Sequence, residues 1–134
     1  MASAVGKPLQ PLRIPQGWEV KYNSFFETEP KFKYLDDTSE DFCEDMLVLA
    51  NASVGVLIDL GWYPESEPKG KFGLVAITIH ADGDQMSASW LKPLRELRTR
   101  SKRKVVAAIE EWTDYYSNGP AEPARQRTRR TQAR

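Results

Sequence analysis

The chain has 134 residues and a formal net charge of zero, with 40% apolar and 28% charged residues. This is an ordinary globular composition, and a chain of this length buries enough surface to fold without a disulfide or a metal ion. A single cysteine, Cys43, excludes a disulfide within the chain and suits a reducing compartment. The first residues lack a signal-peptide core and no apolar run could span a bilayer, which predicts a soluble, cytoplasmic protein.

Acidic and basic residues are unevenly distributed along the chain. Residues 1–90 carry a net charge of −7, whereas residues 91–134 carry +7. Such an asymmetry indicates either a charged partner for one half or pairing between the halves.

Composition also divides the chain into one domain and two tails. Residues 1–11 contain proline and glycine without apolar periodicity, and they are predicted to form a flexible N-terminal leader. Residues 119–134 contain five arginines and almost no apolar bulk, so they are predicted to form a disordered basic tail. A single globular domain is expected over residues 12–118.

The first strand signal lies at residues 18–22, where apolar and polar side chains alternate. Residues 46–50 are ambiguous, because Ser39 could cap a helix that runs into this segment. The β-rich flanking sequence favours a strand, which is the interpretation adopted for 46–50.

The clearest strand runs over residues 54–62. Alternation places its large apolar side chains on one face and Gly55, Asp59 and Gly61 on the other, where small residues allow another backbone to approach closely. A turn-rich loop joins this strand to a second apolar strand over residues 72–80. Together the two strands predict a β-hairpin.

Residues 86–92 are predicted to continue the sheet, and residues 94–99 to form an edge strand, because proline and charge are tolerated at an edge. Ser101 is then expected to cap a helix with an amphipathic face. The apolar residues of that face are Val105, Ile109, Trp112 and Tyr116. The basic first turn of this helix opposes the helix dipole and requires a structural reason.

The predicted fold class is α+β and mostly β, with an antiparallel sheet of about five strands and one C-terminal helix packed on a face. Two faces of the hairpin could receive the helix. One carries Val56, Ile58 and Leu60, and the other carries Val75, Ile77 and Ile79.

The four tryptophans are predicted to differ in burial. Trp18, Trp62 and Trp112 fall on apolar faces and are expected in the core. Trp90 adjoins charged residues and is expected to be partly exposed, with half-buried packing or an interface contact as the two interpretations.

Residues suited to catalysis are few. The single histidine, His80, falls on a predicted strand, and His80, Asp82 and Asp84 lack the further ligands of a metal site. Cys43 precedes Glu44, and neighbouring carboxylates raise the pKa of a thiol and suppress its reactive thiolate. Since no phosphate loop, dinucleotide-binding glycine pattern or nucleophile elbow is present, we predict that the protein is not an enzyme and needs no metal or cofactor.

Six carboxylates fall within ten residues. They are Asp36, Asp37, Glu40, Asp41, Glu44 and Asp45. One interpretation is a solvated loop, or pairing with basic residues of the same chain. The other is a binding surface for a basic protein, since such patches steer association. These six residues are the candidate partner-binding residues.

A basic run over residues 95–104, together with the tail arginines, suggests an alternative function as a small nucleic-acid-associated binding module. The aromatic residues are not interleaved with this run, so stacking on bases lacks support. Charge that keeps an edge strand and a helix start in solution is the simpler interpretation, and nucleic acid is not the expected partner.

Three segments resemble one protein family. They are residues 12–18 (LRIPQGW), 58–65 (IDLGWYPE) and 94–100 (LRELRTR). In this order they resemble the small, tryptophan-containing, mostly-β immunity proteins of bacterial polymorphic toxin systems, over about residues 12–117. The resemblance implies a bacterial protein that binds the product of a neighbouring toxin gene and protects the cell that makes it. Toxin-contact residues cannot be carried over from these motifs, and the basic tail departs from the family.

The function expected from the sequence is therefore that of a cytoplasmic immunity protein that occludes a cognate toxin domain without involving a membrane. The acidic segment is the leading contact surface. Charge alone suggests a basic nuclease as the toxin, with the carboxylates standing in for phosphates.

Overall fold

The computed structural model describes residues 7–33, 38–79 and 89–118. The principal elements are β1 (Glu19–Asn23), β2 (Leu47–Asn51), β3 (Val56–Tyr63), β4 (Lys71–Thr78), β5 (Arg95–Thr99) and α1 (Lys102–Tyr116). Each strand lies antiparallel to the next one along the chain, so the sheet is a meander with β1 and β5 at its edges. The predicted fold class, α+β and mostly β with one C-terminal helix on a face of the sheet, is confirmed.

One face of the sheet, called here the inner face, carries the core. Alternate side chains of a strand point to the same face, and cross-strand register pairs Leu60 with Leu74 and Trp62 with Phe72 on this side. These side chains are fully buried together with Val56 and Ile58, and with the apolar residues of α1. The helix therefore packs on the face of Val56, Ile58 and Leu60, which settles the two alternatives left open by the sequence.

Helix α1 begins as the sequence predicts. The Ser101 hydroxyl accepts a hydrogen bond from the Lys104 backbone N–H at 3.2 Å, which caps the helix. Its predicted apolar face is buried, with Ile109 and Tyr116 fully inaccessible and Trp112 nearly so.

The basic first turn of α1 is explained by Lys102. Its side chain is buried and its ammonium donates to the backbone carbonyl oxygens of Glu27 and Thr28. Burial lowers the pKa of Lys102, whereas the nearby carboxylates of Glu29 and Glu27 raise it. The positive charge of Lys102 is unfavourable near the helix N-terminus, but its hydrogen bonds attach α1 to the loop that contains Glu27 and Thr28.

The segment preceding β1 lies along α1. The Trp18 indole N–H donates to the Thr113 carbonyl oxygen and to the Ser117 hydroxyl, each at 3.1 Å. The Arg13 backbone N–H donates to the Glu110 carboxylate at 2.9 Å. Further back, Leu9 forms an isolated antiparallel bridge with Phe26. The Glu27 backbone N–H also donates to the Pro8 carbonyl oxygen at 3.0 Å, and Lys7 pairs with Asp41, so the chain before β1 is attached to the domain from residue 7 onward.

The structure tests the strand predictions for residues 46–50 and 86–92. Residues 46–50 belong to strand β2, as favoured, and Ser39 begins only a short 3-10 turn, Ser39–Asp41. The strand predicted over residues 86–92 is wrong where the structure describes it, because residues 89–91 are helical. No helix in the described ranges has the length and apolar character needed to cross a membrane.

Candidate functional site

The face of the sheet opposite α1, called here the outer face, combines apolar and charged residues. One cross-strand row on this face crosses all five strands. Its members are Tyr22, Val48, Asp59, Val75 and Glu96. The adjacent row contains Gly61, Gly73 and Arg98. Asp59 thus lies near the middle of a sheet surface that the helix does not cover.

Gly61 and Gly73 lie beside Asp59 on the outer face, where the lack of a side chain lets other atoms pack against the backbone. A Cβ atom on Gly61 would collide with the Glu44 carbonyl oxygen and lie 2.8 Å from the Tyr63 hydroxyl. A Cβ atom on Gly73 would lie 3.2 Å from the Tyr63 ring. The Tyr63 ring therefore lies back across both glycines, and its hydroxyl donates to the Glu44 carbonyl oxygen at 3.4 Å. The close backbone approach predicted from the small residues of β3 is confirmed.

A cleft of about 250 Å³ lies beside Asp59 on the outer face. Asp59, Tyr63, Gly73 and Val75 line it from β3 and β4, and the other side is formed by Trp90 and by residues 96–98 of β5. Trp90 is 46% exposed and its neighbour Leu91 is 83% exposed, so the predicted partial exposure of Trp90 is confirmed. An aromatic and apolar rim of this kind is typical of recognition surfaces.

The electrostatics of the cleft centre on Asp59. No hydrogen bond or ion pair from the described parts of the chain reaches its carboxylate. Burial raises the pKa of Asp59 from 3.8 to about 6, and the negative charge of Asp45 adds to the rise. The carboxylate is thus held partly out of water, and no cation in the described ranges pairs with it.

The Tyr63 hydroxyl beside Asp59 also has a raised pKa. Burial raises the pKa of Tyr63, and the charges of Asp59, Glu44 and Asp45 raise it further, while Arg98 acts in the opposite direction. The two carboxylates before β2 therefore belong electrostatically to the cleft.

The acidic segment singled out from the sequence does not form one surface. Glu40 is exposed on the 3-10 turn, whereas Asp41 is buried, pairs with the Lys7 ammonium at 2.8 Å and accepts a hydrogen bond from the Thr28 hydroxyl at 2.5 Å. Asp41 therefore holds three segments of the chain together. Glu44 and Asp45 are exposed beside the cleft, and Asp36 and Asp37 lie outside the described residues.

Cys43 has the properties of an unreactive thiol. Burial raises its pKa, with smaller contributions in the same direction from the charges of Glu65 and Asp45. The predicted direction is confirmed, although burial is the largest cause and Glu65, distant in sequence, is one of the carboxylates involved. The described residues contain no group of three or more potential metal ligands, and His80, Asp82 and Asp84 lie outside them.

The basic run over residues 95–104 is partly engaged within the fold. Arg95 lies 5.1 Å from the Trp112 ring and pairs with Glu111 at 3.5 Å. Arg100 donates to the Gly70 carbonyl oxygen, and Lys102 is buried as described above. The cationic surface left exposed is therefore smaller than the sequence suggests.

Comparison with protein-family models, with curated proteins and with solved structures finds no match to this chain. The function of this chain is therefore inferred from the residues of the site. Sequence reasoning placed Asp59 and Gly61 on the correct face of β3 but did not select Asp59 as a site residue. The signal that could have identified Asp59 was an aspartate that shares a face with Gly55 and Gly61 in a strand that is otherwise mostly apolar.

Proposed function

We propose that this protein is an immunity protein that binds a cognate bacterial toxin domain in the cytoplasm and neutralises it by occlusion. The observation that carries the proposal is the outer-face cleft, where exposed aromatic side chains surround a half-buried carboxylate without a cationic partner among the described residues. The resemblance of the sequence to immunity proteins supports the same function.

The surface around the cleft suits a protein partner. Tyr22, Tyr63 and Trp90 are exposed large side chains of a kind enriched in binding hot spots, and Leu91 adds exposed apolar surface. Strand β3 holds Asp59 and Tyr63 on a sheet fixed by a packed core, so little ordering is needed when a partner binds. A rigid surface with few flexible groups favours tight inhibition.

The charge of the surface favours a basic partner. Asp45 is close enough to Asp59 to raise its pKa, and the charges of Asp59, Glu44 and Asp45 all act on Tyr63, so three carboxylates lie on this side of the molecule. Complementary charge steers the encounter, and close charge pairs couple by roughly 1.5–7 kcal/mol in a tight complex. A basic toxin domain, such as a nuclease, satisfies this requirement.

A growth assay tests the proposal. The toxin domain encoded by the neighbouring gene is expressed in cells together with this protein or a variant. We expect the wild-type chain to restore growth and the double variant Glu44→Lys/Asp45→Lys to fail, because both side chains are exposed and their reversal repels a basic partner without disturbing the core.

A charge-matched control separates the surface from net charge. Glu67 and Asp114 are exposed away from the cleft, since the Glu67 carbonyl oxygen binds the inner-face Trp62 and Asp114 lies on α1. Glu67→Lys/Asp114→Lys should protect as well as the wild type. Failure of the wild-type chain to protect, or protection by Glu44→Lys/Asp45→Lys, would contradict the proposal.

A further inference from the structure

The cleft of about 250 Å³ is small for an independent ligand. Pockets for drug-sized molecules span roughly 300–1,000 Å³, so a volume below that range suits a single long side chain. Its lining combines two aromatic side chains, Trp90 and Tyr63, with the carboxylates of Asp59 and Glu96 and one cation, Arg98. This combination of groups indicates the chemistry of the occupant.

The same molecule shows how these groups are satisfied elsewhere. On the inner side of the sheet, Arg95 stacks over Trp112 and pairs with the Glu111 carboxylate. The outer-face cleft presents the same kinds of group, an indole and a carboxylate. Among the described residues, however, no cation stacks on Trp90 or Tyr63, and none pairs with Asp59.

We propose that the outer-face cleft receives one arginine side chain of the partner, with its guanidinium paired with Asp59 and stacked against Trp90. A planar guanidinium is favoured over an ammonium because it combines bidentate pairing with a carboxylate and stacking on an aromatic face. This inference rests on the proposed function, in which the partner is the basic toxin domain, and specifies what that partner inserts.

Arg98 does not fill this role. It lies on the β5 side of the cleft, where Glu96, two residues earlier on the same face, carries the opposite charge. Among the described residues, no ion pair joins its guanidinium to Asp59. Of the charged side chains that the structure describes at the cleft, Asp59, Glu96 and the nearby Asp45 are acidic and Arg98 is basic, so their net charge is negative.

The test uses the isolated protein and a small probe, so that it does not depend on the toxin. N-acetyl-arginine methylamide is titrated into the 15N-labelled chain, with the lysine analogue and the uncharged citrulline analogue as comparisons. We expect saturable shifts of the Trp90 indole N–H and of the Gly61 and Gly73 amides with the arginine probe. Binding should be at least tenfold weaker with citrulline and intermediate with lysine.

Variants and pH locate the binding group. Asp59→Asn should weaken arginine binding at least tenfold, whereas Glu67→Gln should leave it unchanged. In the wild type, affinity should fall as the pH drops below about 6, because Asp59 becomes protonated, and Asp59→Asn should remove this dependence. Within the part of the chain that the structure describes, the charged and titratable groups that face Asp59 are Asp45, Tyr63, Glu96 and Arg98.

The outcomes separate this inference from the proposed function. Equal binding of arginine and citrulline probes, shifts confined to other residues, or a pH dependence that persists in Asp59→Asn would overturn the arginine site. Probe binding at Asp59 combined with failure to neutralise the toxin would retain the site and refute the proposed function.

Discussion

Replacing Asp59 by asparagine should raise the stability of the folded protein at neutral pH and leave it unchanged in acid. In the folded protein the pKa of Asp59 is about 6, against an ordinary value of 3.8. A difference of this size corresponds to about 3 kcal/mol for a fully buried group. Because Asp59 is only half-buried and solvent screens its charge, we expect a gain of about 1 kcal/mol.

The sign of the pH dependence follows from the direction of this pKa change. The folded state binds the Asp59 proton more tightly than the unfolded state, so this group stabilises the wild type as the pH falls from about 6 to about 4. Asparagine resembles the protonated acid and lacks this dependence. The advantage of Asp59→Asn is therefore present above about pH 6 and disappears near pH 4.

Thermal unfolding followed by circular dichroism measures the effect. At pH 7.5 the Tm of Asp59→Asn should exceed that of the wild type by about 3–6 °C, and at pH 4 the two should coincide. Glu67→Gln is the control, since it removes an exposed carboxylate from a loop, and it should leave the Tm unchanged. Equal Tm values for Asp59→Asn and the wild type at pH 7.5, or an advantage that persists at pH 4, would refute the reasoning.

Three further predictions concern stability in urea. Trp112→Ala should lower the free energy of unfolding by about 3–5 kcal/mol because the side chain is almost fully buried, and a loss below about 1 kcal/mol would mean that α1 does not dock as described. Lys102→Ala should cost about 1–3 kcal/mol because the hydrogen bonds that the buried ammonium donates to the Glu27 and Thr28 carbonyl oxygens are lost. The exposed Lys104→Ala should cost little, and equal costs would argue against the attachment of α1 to the loop. Gly70→Ala should cost about 1–3 kcal/mol, since its Cβ would lie 2.8 Å from a ring carbon of Trp62, and an unchanged unfolding midpoint would contradict that contact.

The hairpin and the helix were predictable because their patterns are local. Alternation in β3 and the recurrence of apolar residues in α1 each reflect burial on one face, and the structure has that burial. Strand β2 was ambiguous because most of its residues are buried on both faces, which removes the alternation. The helical residues 89–91 were predicted as strand because so few residues show no helical period.

The candidate site was only partly predictable because its properties arise from distant residues. Asp41 and Asp45 look equivalent in the sequence, but Lys7 and Thr28 bury and bind the first and leave the second exposed. Asp59 becomes a site residue only when the segment containing Trp90 folds beside β3 and β4. Neither contact can be predicted from local composition, because each joins residues that are distant in sequence.

The most direct test of the account is the affinity of the purified chain for the toxin domain of the neighbouring gene, measured by isothermal titration calorimetry at two salt concentrations. We expect a one-to-one complex that weakens with salt and at least tenfold on Glu44→Lys/Asp45→Lys, and that is unaffected by Glu67→Lys/Asp114→Lys. No detectable binding, or equal affinity for the two double variants, would contradict recognition through the outer face.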